Sequence, residues 1–304
     1  MGVVPSGEQF EISHGEQRAT IVEVGGGVRE YRVGDRDVLD PYPLEAICDG
    51  GHGAVLIPWP NRLADGRYSF DETVHQLPLT EPARQNAIHG LVRWRNWSLL
   101  ERSPEHVLVG IRINPQPGWP FALEASVGYR LSDEGLEVQT RAVNAGDGPC
   151  PFGTGQHPYL SPGEDLVDDC TVELRAATRI LTDPERQLPI GHGPVAGSAF
   201  DFASPRRLGD LAVDAGFTDL ERDRNGLAWV RLGCPDGTVV ELWCDERYPF
   251  VQLYSGDTLA PARRRRALAA EPMTCPPNAL QTGEGIVRLE PGEGFVGRWG
   301  VRLG

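Results

Sequence analysis

The sequence predicts an all-β protein, and three observations favour this class. Apolar and polar residues alternate over long stretches, most clearly in the run FALEASVGYRLSDEGLEVQTRAVN at 121–144. This period of two is typical of strands with one buried face. The 304 residues include 37 Gly and 26 Pro, which is typical of strands joined by turns. We find no long helical pattern, repeat or linker, and expect one domain over residues 1–304.

In the N-terminal and central parts of the chain, local sequence patterns predict individual strands and turns. Alternation in TIVEV at 20–24 predicts an early strand, and the glycines at 25–27 predict a turn after it. The 121–144 run predicts two antiparallel strands, because the DEG sequence at 133–135 favours a turn between them. Residues 226–245 predict a hairpin with an Asp-Gly turn.

Four segments of the C-terminal half carry further expectations. Residues 182–205 are polar and rich in Pro and Gly, and we expect a long surface segment there. Residues 208–223 favour a short helix before Asp219. The four arginines at 263–266 are expected in a solvated loop, because charge runs usually face water. The apolar residues at 267–270 predict a short buried strand.

Composition limits the partners. There are 29 basic and 43 acidic residues, all basic ones arginine, for a net charge of -14. An acidic surface argues against nucleic acid and anionic membranes. The six cysteines lack CxxC spacing and are expected to be reduced core residues. No signal peptide or membrane-spanning run is evident, so we expect a cytoplasmic protein that binds a small molecule.

The segment 58–97 carries the first functional signal. Asn61 and Arg62 precede a turn, His89 and Gly90 end the following loop, and tryptophans flank both, Trp59 among them. Guanidinium, imidazole and indole groups together suit a neutral polyol, since they offer hydrogen bonds to hydroxyls and flat faces to the C–H side of a sugar. The alternative is a pair of strands whose polar residues merely face water.

Four sequence stretches resemble the aldose 1-epimerase (galactose mutarotase) family. They are NRLADGRYSFD at 61–71, NAIHG at 86–90, GTGQHPYL at 153–160 and AAEPMTCPPNAL at 269–280, in the family's order. The resemblance implies a large antiparallel β-sandwich of the galactose mutarotase-like supersandwich type. It also implies an isomerase that interconverts the α and β anomers of a free aldose. For the oligomeric state we expect a monomer or a homodimer, and the sequence leaves open which. We expect no cofactor and no metal, because neither a phosphate-binding Gly loop nor metal-ligand spacing is present.

Mutarotation needs one group that takes the proton of the anomeric hydroxyl and one that protonates the ring oxygen. The resemblance gives the second role to His157, which Pro158 holds in extended conformation. It gives the base role to Glu271, where burial would raise the carboxyl pKa. Glu284 is the competing carboxylate, but it lies between glycines where a solvated turn is expected.

The resemblance also implies the remaining site residues. His89 is expected to hydrogen-bond the sugar near the reacting centre and to stabilise charge on oxygen. Asn61, Arg62 and Asp219 are expected to bind sugar hydroxyls. Gln156 and Trp59 are further candidates for the pocket lining. The other five histidines have no motif support and are expected to be structural: His14, His52, His75, His106 and His192.

Three alternatives remain at this point. Arg93 and Arg95 after His89 are compatible with a hexose 6-phosphate 1-epimerase of the same superfamily. A non-catalytic sugar-binding module could share the fold, because fold does not fix function. A glycoside hydrolase would need two carboxylates around a glycosidic oxygen, and only one, Glu271, has motif support.

Overall fold

The computed structural model describes residues 4–304, and strands dominate it, which confirms the all-β prediction. The first nine strands are β1 (Gln9–His14), β2 (Gln17–Val22), β3 (Val28–Val33), β4 (Arg36–Leu39), β5 (Val55–Leu56), β6 (Arg62–Ala64), β7 (Arg67–Phe70), β8 (Thr73–Gln76) and β9 (Asn86–Ile88). The next nine are β10 (Ser98–Ser103), β11 (His106–Ile113), β12 (Leu123–Ser132), β13 (Gly135–Asn144), β14 (Cys150–Phe152), β15 (Gly155–Gln156), β16 (Tyr159–Leu160), β17 (Thr171–Leu174) and β18 (Ala176–Thr182). The last nine are β19 (Pro189–Pro194), β20 (Arg206–Arg207), β21 (Asp214–Leu220), β22 (Ala228–Gly233), β23 (Val239–Cys244), β24 (Phe250–Tyr254), β25 (Leu268–Met273), β26 (Val287–Leu289) and β27 (Gly294–Leu303). Helix within the described part of the chain is limited to α1 (Ala279–Thr282) and the 3-10 turns Pro82–Arg84 and Val167–Asp169.

Two large antiparallel sheets contain most of these strands. The twelve-stranded sheet runs β1-β2-β3-β4-β16-β25-β24-β21-β18-β19, with β15 pairing with β25 and β5. The nine-stranded sheet runs β10-β11-β12-β13-β27-β23-β22-β17-β20. Three two-stranded ribbons, β14-β26, β6-β9 and β7-β8, complete the structure.

One buried apolar cluster joins the two large sheets, which pack face to face as a sandwich. A chain of buried hydrogen bonds crosses the same interior. Trp299 Nε1 of β27 donates to Gln156 Oε1 at 2.7 Å, and Gln156 Nε2 donates to the Tyr129 hydroxyl of β12 at 2.7 Å. Because these polar atoms are satisfied, the aromatic side chains contribute their full apolar area, roughly 1.5–3 kcal/mol each, without an unpaired donor.

The predicted turns agree with the structure. Residues 133–134 connect β12 and β13, which pair along their whole length, and Asp236-Gly237 lies in the turn between β22 and β23. Residues 182–205 are mostly at the surface, as expected, although they include the edge strand β19.

Two predictions for the C-terminal half were wrong. Residues 214–220 form strand β21 and not a short helix, because Ala215 and Phe217 alternate with polar neighbours and pack in the inter-sheet core. The arginine run is not a wholly solvated loop. Arg265 is buried, and its guanidinium donates to Asp168 at 2.6 Å and to Asp257 at 2.8 Å. Paired carboxylates offset the desolvation of such a charge.

The cysteines match their prediction with one exception. All six carry free thiols, and five of them are buried. Cys48 is only partly buried and donates its thiol proton to the His52 carbonyl, with a sulfur–oxygen distance of 3.1 Å.

Strand β25 contains Glu271, the carboxylate predicted to act in the reaction. It lies between β16 and β24 in the middle of the twelve-stranded sheet, and all six residues are buried. Leu268 and Ala270 belong to the inter-sheet core. Since side chains alternate along a strand, Ala269 and Glu271 point to the opposite face, away from the nine-stranded sheet. The strand continues through Pro272 to Met273, so Glu271 lies within it and not at its end.

Candidate active site

A cavity of about 320 Å³ lies on this outer face of the twelve-stranded sheet. Two kinds of structure enclose it. We call the residues on paired strands of the large sheet, together with the β15–β16 junction, the sheet wall: His157, Asp214, Tyr254 and Glu271. We call the residues on the surrounding loops and the β6-β9 ribbon the loop wall: Cys48, Asp49, Gly50, Gly51, Asn61, Arg62, Thr80, Glu81, Ile88, His89, Arg93, Trp94, Thr258 and Leu259.

Strand register brings the sheet wall together. Glu271 of β25 is directly opposite Gln252 of β24, and Tyr254 of β24 is directly opposite Asp214 of β21. Residues two apart on one strand share a face, so all four side chains project to the same side. Asp214 and Glu271, which are 57 residues apart in sequence (271 − 214), thereby line one surface of the cavity.

His157 and Glu271 form a buried pair. His157 Nε2 lies 3.3 Å from Glu271 Oε1, and both residues are at most 5% exposed. Within residues 4–304, Glu271 Oε2 and His157 Nδ1 have no hydrogen-bond partner. Buried polar atoms without a partner are rare in native proteins, so both atoms call for a functional explanation.

The surroundings of this pair favour the uncharged form of each side chain. Burial raises the pKa of Glu271 well above its usual range, the charge of Asp214 adds to this, and Arg62 opposes it. Burial lowers the pKa of His157 to about 3, and the charge of His52 acts in the same direction. In this state the carboxyl group carries the one exchangeable proton of the pair, and the imidazole has a free lone pair. The pair therefore contains one potential acid and one potential base.

His89 is held in a left-handed backbone conformation, with φ of 63°. The backbone N–H of Asn61 donates to His89 Nδ1 at 3.2 Å. Because Nδ1 accepts this bond, the neutral ring carries its proton on Nε2. Burial lowers the pKa of His89 well below its usual range, and the charge of His157 contributes. The ring lies edge-on to His157 with centroids 5.4 Å apart, so the structure brings the two histidines together.

Arg62 is fixed by an acidic partner. Its Nε donates to Glu81 Oε2 at 2.9 Å and its Nη2 to Glu81 Oε1 at 3.1 Å, a two-pronged contact. Glu81 also accepts from Asn86 Nδ2 at 3.0 Å. The remaining Nη1 makes no hydrogen bond within the described residues and is available to a ligand.

Asp214, and not Asp219, is the acidic residue of β21 that lines the cavity. Asp219 is exposed at the far end of β21 and does not line the cavity, so the sequence-based assignment is corrected. Asp214 and Asp219 are five residues apart on one strand, an odd separation that places them on opposite faces. Gln252 Nε2 donates to Asp214 Oδ1 at 2.6 Å. Burial raises the pKa of Asp214, while the charge of Arg62 lowers it.

Gln156 and Trp59 do not line the cavity either. Gln156 precedes His157 in an extended segment and therefore points the other way, into the inter-sheet core described above. Trp59 is 3% exposed and packs in the apolar core near Trp119, with ring centroids 6.3 Å apart. Both residues are corrected to core positions.

Glu284 is remote from this site. It is exposed, as the sequence predicted, and lies 3.3 Å from His192. Glu271 is therefore the buried carboxylate at the cavity, and Glu284 is a surface residue.

Sequence reasoning missed several cavity residues. Asp214 carries a signal, because VDAGF alternates a single acid with buried apolar residues. Glu81 and Tyr254 carry no such signal, since only the folded chain places them beside Arg62 and Asp214.

Among residues 4–304, no group of three or more His, Cys, Asp or Glu side chains is arranged to hold a metal ion. Over the same range, every helix is too short to cross a membrane.

Comparisons with known proteins agree with the fold and the motifs. Residues 8–299 match the family model described as aldose 1-epimerase. The chain is 32% identical over 289 residues to the uncharacterized protein YihR of Escherichia coli, covering 95% of this chain and 91% of that one.

Two further relatives are informative. The rat galactose mutarotase is 29% identical, with 85% of this chain and 81% of the relative covered. The solved structure of a GalM/aldose epimerase homologue from C. elegans superimposes with a TM-score of 0.87 at 19% identity, covering 98% of both chains. The chain belongs to the aldose 1-epimerase family.

Proposed function

We propose that this protein is an aldose 1-epimerase that interconverts the anomers of a free aldose by acid–base ring opening and reclosure. The observation that carries the proposal is the buried pair of His157 and Glu271, 3.3 Å apart on one wall of a sugar-sized cavity. Its surroundings favour one shared proton, which is what a reaction with one acid and one base needs.

Ring opening requires the proton on His157 and the charge on Glu271. A sugar hydroxyl at Oε1 and the nearby Arg62 guanidinium both stabilise the carboxylate form of Glu271. Glu271 then accepts the proton of the anomeric hydroxyl, and that O–H electron pair forms the carbonyl. The bond from the anomeric carbon to the ring oxygen breaks, and the ring oxygen takes the proton of His157.

Reclosure is the same sequence in reverse. The aldehyde turns about its C–C bond and presents its other face to the former ring oxygen. That hydroxyl returns its proton to His157 as the new ring bond forms, and Glu271 returns its proton to the anomeric oxygen. The pair thus ends each cycle with the proton distribution with which it began, and protons are exchanged only between sugar and protein.

The remaining polar groups suit a neutral polyol. Arg62 Nη1 and His89 Nε2 are donors directed by their other contacts, and Asp214 accepts through its carboxylate. Two neighbouring sugar hydroxyls can accept hydrogen bonds from these donors and donate a hydrogen bond to the carboxylate at the same time. His89 beside His157 also offers an N–H to oxygen that gains charge in the transition state.

The direct test is polarimetry on a panel of freshly dissolved aldoses, with spontaneous mutarotation subtracted. We expect accelerated change of optical rotation for at least one aldose, before and after dialysis against EDTA. Loss of activity with EDTA, restored by a divalent ion, would contradict a metal-free mechanism. A sugar-binding module would bind these aldoses without acceleration. A hydrolase is separated by a parallel assay on a glycoside, from which it alone would release the alcohol.

A second candidate, a hexose 6-phosphate 1-epimerase, is favoured by Arg93. This residue lines the cavity, stacks over Trp94 at 4.0 Å, and makes no ion pair within the described residues. Burial lowers its pKa, so an anionic group would compensate for the desolvation of its charge. The net charge of -14 opposes attraction of a phosphate dianion.

Parallel assays with a free hexose and its 6-phosphate separate the two candidates. If phosphate binds at Arg93, Arg93→Ala should raise KM for the phosphosugar by about tenfold or more. The exposed Arg95, which donates to Gln116 at 3.0 Å outside the cavity, is the matched control. Equal KM values in Arg93→Ala and Arg95→Ala would eliminate a phosphate site at Arg93.

A further inference from the structure

Three aromatic rings form a stack beneath the loop wall. Tyr159 lies between His52 and His157, with ring centroids 3.8 Å and 5.0 Å away and ring planes within 12° of parallel. The Tyr159 hydroxyl donates to the Gly50 carbonyl at 2.7 Å. His52 is only 3% exposed and does not line the cavity. The Tyr159 ring thus separates the His52 ring from the ring of His157.

The two ring nitrogens of His52 both face acceptors. Nδ1 lies 2.9 Å from the Asp49 carbonyl oxygen, and Nε2 lies 2.9 Å from Asp40 Oδ2. A carbonyl cannot donate, and Asp40 Oδ2 also accepts from Arg263 at 2.7 Å, so this oxygen faces His52 as an acceptor. A neutral imidazole has one N–H and would leave one contact unmade. Both contacts are satisfied only when His52 is a cation.

The other groups around His52 are compatible with this charge. The Asp49 carboxylate is 3.7 Å from Nδ1, the flat face of Tyr159 covers the ring, and the Cys48 thiol donates to the His52 carbonyl. The carboxylates of Asp40 and Asp49 thus lie close enough to offset the positive charges of His52 and Arg263. A cation on an aromatic face gains further stabilisation when both are buried.

The stack and the contact of Nε2 with Glu271 Oε1 together orient His157. Its Nδ1 has no hydrogen-bond partner within residues 4–304, so no hydrogen bond at that atom fixes the ring plane. Tyr159 covers one side of the ring, and Gly51 lies so close that a Cβ there would be 2.6 Å from His157 Cδ2. Gly51 precedes His52, and the bonds from His52 to Asp40 and Asp49 hold this loop in place.

We propose that His52 is a positioning residue for the epimerase reaction: as a cation held by Asp40 and Asp49, it fixes the ring of His157. This rests on the proposed function. Burial and then the charge of His52 lower the pKa of His157, which is the expected direction for a nearby cation. A stronger acid gives its proton more readily to the ring oxygen.

The test compares His52→Phe, which keeps a stacked ring without charge, with wild type. We expect kcat to fall about ten- to hundredfold with KM within about twofold, since misplacement of a reacting group has effects of this size. The pKa of His157, followed by NMR, should rise, and the acidic limb of the rate profile should move to higher pH. His192→Phe, at an exposed histidine, is the control and should match wild type.

Two measurements keep the proposal testable if that variant does not fold or the sugar panel shows no activity. The 15N shifts of His52 in the unaltered protein at pH 7.5 should show both ring nitrogens protonated. Asp40→Asn retains shape and removes the charge, and it should move His52 toward the neutral form. A single protonated nitrogen in the unaltered protein, or equal kcat and equal His157 titration in His52→Phe and wild type, overturns the proposal.

Discussion

The sheet wall and the loop wall of the cavity differ in how their side chains are held. On the sheet wall, Glu271 and Asp214 are on strands that pair on both sides, so their positions follow from register. On the loop wall, Asn61 and His89 adopt left-handed backbone conformations, and Trp94 is 53% exposed. Groups that exchange protons with the substrate need fixed geometry, whereas loops vary with less effect on the core. We therefore expect the sheet wall to determine rate and the loop wall to determine which sugar binds.

The largest expected effect tests the sheet wall directly. Glu271→Gln keeps the shape and removes the base, so kcat should fall by about two to four orders of magnitude. Polarimetric initial rates measure this. Glu284→Gln changes the same chemical group at an exposed position and should be nearly silent. An active Glu271→Gln together with an inactive Glu284→Gln would reverse our assignment of the base.

A second pair of variants separates the two faces of one strand. Asp214→Asn removes a carboxylate that accepts from Gln252 at the cavity, and we expect kcat/KM to fall by about ten- to a hundredfold. Asp219→Asn alters an exposed acid on the opposite face and should leave kcat/KM unchanged. If only Asp219→Asn impairs the reaction, the correction from Asp219 to Asp214 is wrong.

The loop wall is tested by Arg62→Ala. Its donors serve ground and transition states alike, so KM should rise by about tenfold while kcat changes less. The comparison between walls would fail if kcat collapsed at constant KM, because Arg62 would then act on the reacting atoms. Glu81→Gln, which weakens the contact that holds Arg62, should give a smaller change in the same direction.

The smallest expected effect concerns stability. The folded pKa of Glu271 is raised above its unfolded value of 4.5, so folding binds a proton between these two pKa values. This contribution is complete below about pH 4.5 and is lost as the pH rises through the folded pKa. The melting temperature of Glu271→Gln should therefore rise relative to that of wild type, by about a few degrees, as the pH is raised above 4.5. A difference that does not change with pH would mean that the pair holds no proton.

Much of this architecture follows from the sequence. The period-two runs predicted the strands, and the ordered motifs predicted the family and its sandwich. The same motifs named His157, Glu271, His89, Asn61 and Arg62, all of which the structure brings to one cavity. These residues were identified from the sequence motifs that contain them. Their identification therefore did not require knowing which strands pair in the folded chain.

The errors have physical reasons. Gln156 is adjacent to His157, but neighbours on an extended chain point to opposite sides. Trp59 offers an indole near Asn61 and Arg62, but it packs in the apolar core instead of facing the cavity. Asp219 was chosen from a short match, and only the pairing of β21 with β24 shows which of two acids faces the cavity. Arg265 is buried because Asp168, 97 residues earlier, supplies its partner. Such long-range pairing leaves no local pattern.

The two-faced strand β25 also bears on how the chain avoids misfolding. A slip of β25 by one residue would turn Glu271 into the inter-sheet core and move Ala270 to the cavity. An ionisable carboxyl between apolar sheets has no partner there, which makes the slipped state costly. The surrounding alanines are small and uniform, so side-chain size alone distinguishes the registers poorly. The carboxyl that we propose as the catalytic base thus also favours the native pairing of the central strand, and Glu271→Leu should yield a less homogeneous folded population in NMR spectra.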